Sequence, residues 1–274
     1  MSTTLIIPIT LGWFAGWLVN YLADVLPFTR RFSQPLCPQC DTPFTWKDYL
    51  LFQPCQNGHP RTARLWVFQI IILAASIYSW IIPPFLKSPY TWITPPSKIG
   101  YVLGLVLIIY FGVVFVIDLE HRLILHPTSI FGAFLGLLIG TVAHGIIPAL
   151  LGGLGGFLMM LAIYYFGVLF THIRTKRLIA NGQEPDDEEA LGAGDVILIT
   201  ILGFILGWPL IWFGLLIGIL LGGFFSLLII LWMVISGDYK KNVLMMFIPY
   251  GPYFITSAFI IIYFPQVLST ILTG

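Results

Sequence analysis

The apolar residues of this chain fall into long runs, most of them about twenty residues, with most of the charges gathered in the segments between. Such a run spans the hydrocarbon core of a bilayer as a helix, because a helix satisfies its own backbone hydrogen bonds where no water is present. Hydrophobic residues make up 58% of the sequence and charged residues 9%, and the runs replace the amphipathic alternation of a soluble domain. The expected fold is therefore all-α: a polytopic membrane protein of about eight transmembrane helices, with one small cytoplasmic insertion.

The predicted crossings are approximately 5–26, 66–86, 99–118, 126–145, 148–171, 193–208, 210–235 and 247–270. The first has no basic n-region and no small-residue cleavage site, so it reads as a retained helix and not as a signal peptide. Tight turns are expected at Gly207-Trp208-Pro209 and between His144 and Pro148. On this map Arg30, Arg31, Lys47, Arg61, Arg64, Arg122, Arg174, Lys176, Arg177, Lys240 and Lys241 share one side, and Lys87 and Lys98 the other. The positive-inside rule makes the first side cytoplasmic and turns both ends of the sequence outward. A net charge of +1 without a basic field argues against a nucleic-acid partner. The sequence divides into helix one (1–26), a cysteine-containing loop (27–65) and a helical membrane domain (66–274).

Most acidic residues belong to loops, including the run Glu184-Pro185-Asp186-Asp187-Glu188-Glu189, which reads as a solvated loop or a flap over the site. Asp24, Asp118, Glu120 and Asp195 remain near membrane depth, where an ionisable group costs about 2.5–3.5 kcal/mol to insert and calls for a role or a partner. Asp118 and Asp195 both map to the cytoplasmic face, and two carboxylates that share a proton can hydrolyse a peptide bond without a nucleophilic side chain. Gly192-Ala193-Gly194-Asp195 would let a substrate backbone approach closely; equally, Asp195 could be a helix N-cap. Asp24 could meet a basic peptide or snorkel to water. His144 and His172 read as helix-end residues, and the glycines at 152, 153, 155, 156, 214, 218, 222 and 223 as positions of close helix packing.

Cys37-Pro38-Gln39-Cys40, Cys55 and His59 form C-x2-C-x14-C-x3-H, four donors at zinc-ligand spacing. A closed four-ligand zinc site would be structural, holding a loop with too little apolar content for its own core. The other reading is three free, reduced thiols.

Together these residues resemble the type IV prepilin leader peptidases, bifunctional prepilin peptidases and N-methyltransferases among the GxGD intramembrane aspartyl proteases. Ile117-Asp118-Leu119-Glu120-His121-Arg122 is similar to the family's first aspartate motif, and Gly192-Ala193-Gly194-Asp195 to its second. Pro249-Tyr250-Gly251-Pro252-Tyr253 resembles the motif opening the last helix, and Gly16-Trp17-Leu18-Val19-Asn20 with Leu26-Pro27 the segment that ends helix one. The resemblance implies that Asp118 and Asp195 are catalytic. They would cleave the short basic leader of a prepilin or pseudopilin at the cytoplasmic face of a bacterial inner membrane, in contact with the lipid bilayer. It also implies methylation of the new N-terminus from S-adenosylmethionine.

The sequence departs from the family pattern at Ile197, where a Lys is common, and at Pro127-Thr128, where Pro is often followed by Asp or Asn and lies nearer the first aspartate. Gln69 stands where a Glu is usual, and Gly58 takes the place of a fourth Cys, with His59 as the substitute ligand. Two other functions compete with the peptidase: a catalytically degenerate homologue, and a transporter or structural membrane component using the carboxylates as an ion or proton site.

Overall fold

The computed structural model describes residues 2–84, 98–180, 192–236 and 249–265, and every element among them is a helix. In chain order these are α1 (Ser2–Thr29), α2 (Trp46–Leu50), α3 (Ala63–Ile81), α4 (Ile99–His121), α5 (His126–His144), α6 (Ile146–Ala180), α7 (Ala193–Leu206), α8 (Leu210–Ile235) and α9 (Gly251–Tyr263). Six of them, α1, α3, α4, α5, α6 and α8, are long and apolar enough to cross a membrane, and α7 and α9 are shorter apolar helices. The chain is a multi-pass membrane protein, as its apolar runs require.

The helices group into two compact units, Met1–Thr128 and Ser129–Gly274. In the first, α1, α3 and α4 pack together. Gly16 leaves room for the amide of Gln69, whose atoms lie 2.8–2.9 Å from where a Cβ would stand. Gln69 is buried and donates to the Trp13 carbonyl at 2.8 Å. Asn20 answers from α1, donating to Gly16 O at 3.0 Å and to Leu65 O on α3 at 3.3 Å. Near the other end of this helix pair, Ser76 donates to Pro8 O at 2.8 Å. Gln69, a departure from the family pattern, thus serves as an interhelical hydrogen-bonding residue.

In the second unit the main contact is between α6 and α7. A Cβ on Gly152 or on Gly203 would overlap the carbonyl of the other, and one on Gly140 would overlap Phe204 O. Gly214, Gly218 and Gly222 similarly admit Leu206, Phe254 and Tyr250. A Cβ on Gly223 would meet nothing within 4 Å among the described residues. Both expected turns are present: α5 gives way to α6 at Gly145 (φ +96°), and α7 ends at Gly207 (φ +72°), beyond which Trp208 N–H donates to Pro148 O at 2.9 Å. The Gly207 turn therefore sits against the start of α6, at the opposite end of α7 from Asp195.

Several boundaries differ from the sequence reading, among them those of α3, which spans Ala63–Ile81 instead of 66–86. α1 continues through Pro27 to Thr29 instead of ending at Leu26-Pro27, because a proline within a helix removes one hydrogen bond without forbidding the next turn; Arg30 N–H closes the end on Leu26 O at 3.0 Å. α6 runs to Ala180, so Arg174, Lys176 and Arg177 belong to a helical extension instead of a loop, and His172 is interior to the helix. At 35 residues this helix measures about 52 Å, well beyond a bilayer core of about 30 Å. α9 begins at Gly251, with Tyr250 as its N-cap and a proline in its first turn. The acidic run 184–189 lies outside the described residues, as do Lys240 and Lys241.

Candidate functional site

The loop between α1 and α3 has too few apolar residues to fold alone, and it borrows them. Phe44, Tyr49, Cys37 and Cys55 from the loop are buried with Tyr21 and Val25 of α1, and Trp17, Leu18 and Leu22 pack against the cluster. Tyr21 hydroxyl donates to Ser33 O at 2.9 Å, and a bridge between Leu36 and Pro43 closes the turn that carries the first two cysteines. Within that turn Asp41 N–H donates to Cys37 O at 2.9 Å and Cys37 N–H to Thr42 O at 2.9 Å.

The second arm reverses at Gly58, whose φ of +81° is a conformation that side chains disfavour, with Gly58 N–H donating to Cys55 O at 2.8 Å. A fourth cysteine at this position would be strained. The turn instead delivers the next side chain, His59, to the thiols.

The four predicted ligands do come together: the donor atoms of Cys37, Cys40, Cys55 and His59 all lie within 4.8 Å of one another. Cys40 Sγ is 3.8 Å from Cys55 Sγ, and His59 Nδ1 is 3.3 Å from Cys55 Sγ and 3.9 Å from Cys37 Sγ. Zinc bonds of about 2.3 Å to sulfur and about 2.0 Å to nitrogen in a tetrahedron require S···S near 3.8 Å and S···N near 3.5 Å. The donor set fits a zinc ion. No disulfide competes, since all three cysteines are free.

The loop shifts two of the four groups, Cys40 and Cys55, toward the deprotonated form a cation binds, and the other two, Cys37 and His59, away from it. The Cys40 thiol is lowered to about 5, first by the Thr42 hydroxyl at 3.0 Å and then by the Thr42 backbone. For Cys55, burial pushes upward but hydrogen bonds from the backbone of His59 and Asn57 outweigh it, so its thiol is lowered as well. Burial raises Cys37, and the thiols of Cys40 and Cys55 raise His59.

Asp118 and Asp195 are each held at a helix end. Asp118 is buried in the last turn of α4, where Arg122, in the left-handed conformation (φ 54°), donates its N–H to Asp118 O at 2.9 Å. Asp195 is half-buried in the first turn of α7 and is not its cap: the N-cap is Gly192, whose carbonyl accepts from Asp195 N–H at 3.0 Å. The carboxylate is thus free of the capping role that the motif alone allowed. Asp118 belongs to the first unit and Asp195 to the second.

Around the C-terminal end of α4 the structure assembles a group that the sequence reading left apart. Asp24 has partners within the chain: Arg64 pairs with it, Arg61 lies 3.9 Å away, and Tyr49 hydroxyl donates to it at 2.6 Å. Burial, and then the Asp24 charge, push the Tyr49 phenol upward, so it remains a donor. Arg64 also donates to Glu120 at 2.6 Å. Arg61 lies over the rings of Phe44 and Tyr49, 4.5 and 4.2 Å from their centres. His121 meets Phe28 edge-on at 5.4 Å. A cavity of about 310 Å³, with Phe28, Leu36, Arg61, Arg64 and Glu120 among its walls, opens beside this group. Arg61 and Arg64 were counted on the sequence only as cytoplasmic cations; the available hint was that Asp24, a lone acid near a helix end, required a partner.

Residues 105–227 match the family model of the type IV leader peptidase family, a segment that contains both Asp118 and Asp195. No curated protein and no solved structure matches the chain.

Proposed function

We propose, from the match of residues 105–227 to the family model of the type IV leader peptidase family, that this membrane protein is an aspartyl endopeptidase that cleaves prepilin or pseudopilin leaders with Asp118 and Asp195. The observation that carries the reading is that the matched segment contains both carboxylates, each near a helix end. The ionised member of the pair takes a proton from water as the oxygen attacks the scissile carbonyl carbon. The protonated member donates first to the carbonyl oxygen and then, as the C–N bond breaks, a proton passes to the leaving nitrogen. Neither step requires a serine or a cysteine.

The basic residues that flank α1 and α3, and those of the helical end of α6, support a cytoplasmic catalytic face in a bacterial inner membrane by the positive-inside rule. Cys37, Cys40, Cys55 and His59 would hold a zinc ion that closes the loop and leaves no open position for chemistry. Methylation of the new N-terminus by S-adenosylmethionine would follow cleavage, a reading that rests on the family resemblance alone.

The experiment is leader cleavage in membranes with a prepilin substrate. Asp118→Asn and Asp195→Asn should each lower the rate by at least about a hundredfold, while cleavage retained in both would sink the dyad. Mass spectrometry of the product decides the methyl step, an unmodified N-terminus at full cleavage leaving a peptidase only.

A further inference from the structure

The last turn of a helix is where it frays, because its carbonyls lack partners within the helix. Asp118 lies in that turn of α4. Glu120 is in the same turn, where a negative charge opposes the negative end of the helix dipole. An acid there weakens the end of the helix unless a cation meets it. Arg64 is that cation. It reaches from the first turn of α3 and donates to Glu120 at 2.6 Å, while its other terminal nitrogen pairs with Asp24 of α1.

Asp24 in turn accepts from Tyr49, the buried centre of the loop cluster that contains Cys37 and Cys55. One guanidinium therefore joins four elements: the metal-binding loop, α1, α3 and the end of α4. With 14% of its side chain exposed, against 37% for Glu120, it is shielded from the solvent that would weaken the pairs.

We infer that Arg64 is a positioning residue for the reaction: by holding Glu120 it fixes the terminal turn of α4 and so the place of Asp118. The inference rests on the reading of Asp118 as a catalytic acid. It assigns Glu120 a role through Arg64 and not through the substrate. The two alternatives separate in kinetics, because a misplaced catalytic group lowers kcat, whereas a lost contact to a basic leader raises KM.

The test uses the full-length protein in membranes with a prepilin bearing a short basic leader. Glu120→Ala should lower kcat by about tenfold to a hundredfold with KM within about twofold, since small misplacements in a reacting pair carry losses of that size. Glu120→Gln, whose amide oxygen still accepts from Arg64, should recover part of the rate. Arg64→Met, which also removes the Asp24 pair, should lower kcat at least as far as Glu120→Ala, and the double variant should be no worse than Arg64→Met alone, because the Glu120 contact is already lost in it. Zinc content should remain at the wild-type level in Glu120→Ala, which separates loss of positioning from collapse of the loop.

A Glu120→Ala enzyme with unchanged kcat, or with raised KM alone, overturns the inference. So does a double variant whose losses multiply. Should Arg64→Met fail to accumulate, the order of Glu120→Ala, Glu120→Gln and wild type decides by itself. Asp118→Asn in the same assay distinguishes the two levels: if it cleaves normally, the catalytic reading and this inference both fall. If it is dead while Glu120→Ala is normal, only this inference does.

Discussion

In the first unit α1 meets α3 through Gln69, Asn20 and Ser76, each donating a hydrogen bond to a carbonyl of the facing helix. In the second, α6 meets α7 where Gly152 and Gly203 face each other with no side chain between them. Ser257, which donates to Gly214 O at 2.8 Å, is a polar contact in that unit. Both solutions answer the same difficulty, that lipid is as apolar as leucine and burial of hydrocarbon alone does not drive helices together. The polar solution is specific but needs satisfied partners. The glycine solution depends on shape and tolerates nothing larger.

The sharpest way to break the contrast is to remove the metal loop from the first unit. Replacing Cys55 with Ala, or chelation of the loop, should abolish the binding of about one zinc per chain, because a four-ligand structural site does not survive loss of a ligand. Elemental analysis reads the metal and limited proteolysis reads the loop, which should be cut between α1 and α3 while the α6–α7 packing stays protected. Simultaneous loss of protection in both regions would show that the units are not independent in this respect.

Next in size is Gly152→Leu. Its side chain would occupy the space of the Gly203 carbonyl, so unfolding in mixed detergent should show a loss of about 3 kcal/mol or more. Gly223→Leu, on the chain's other glycine-rich helix where a Cβ meets nothing within 4 Å among the described residues, should change stability by no more than about 0.5 kcal/mol. Equal effects at the two glycines would remove the packing argument.

The smallest effect concerns acid. Zinc binds deprotonated ligands, so a metal in this loop should be held at neutral pH and released as pH falls through the values at which thiolates and imidazole regain protons. Cys40 starts from about 5 because of the Thr42 hydroxyl, and so recovers its proton late in that descent. In Thr42→Val the Cys40 thiol should rise and zinc release should begin at higher pH, followed with a chromogenic chelator. A release curve that does not move would assign Cys40's acidity to the backbone alone.

Much of this molecule was legible from hydropathy and spacing, and the failures are informative. The turns at Gly145 and Gly207 were readable because glycine near proline or a helix end has few other uses. The reach of α6 to Ala180 was not, since a polar basic segment satisfies its backbone equally well in water or in a helix. The four candidate metal ligands were visible as residue types, yet the reason for glycine at position 58 required its φ of +81°. Glycine packing was foreseen as a class and came out uneven, with no close neighbour to Gly223 among the described residues, because a close approach depends on what the neighbouring helix presents.

By itself the sequence determined that the chain crosses a membrane as helices, where its cations gather, and which acids stand near helix ends. These are properties of a residue and its near neighbours, summed along the chain. Tertiary structure alone decided that Arg64 answers both Asp24 and Glu120, the latter 56 positions away, and that Tyr49 ties the metal loop to the same carboxylate. Such pairs carry no periodicity and no local propensity. They exist because three helix ends and a loop meet in a partly dry space, where each charge must find its partner.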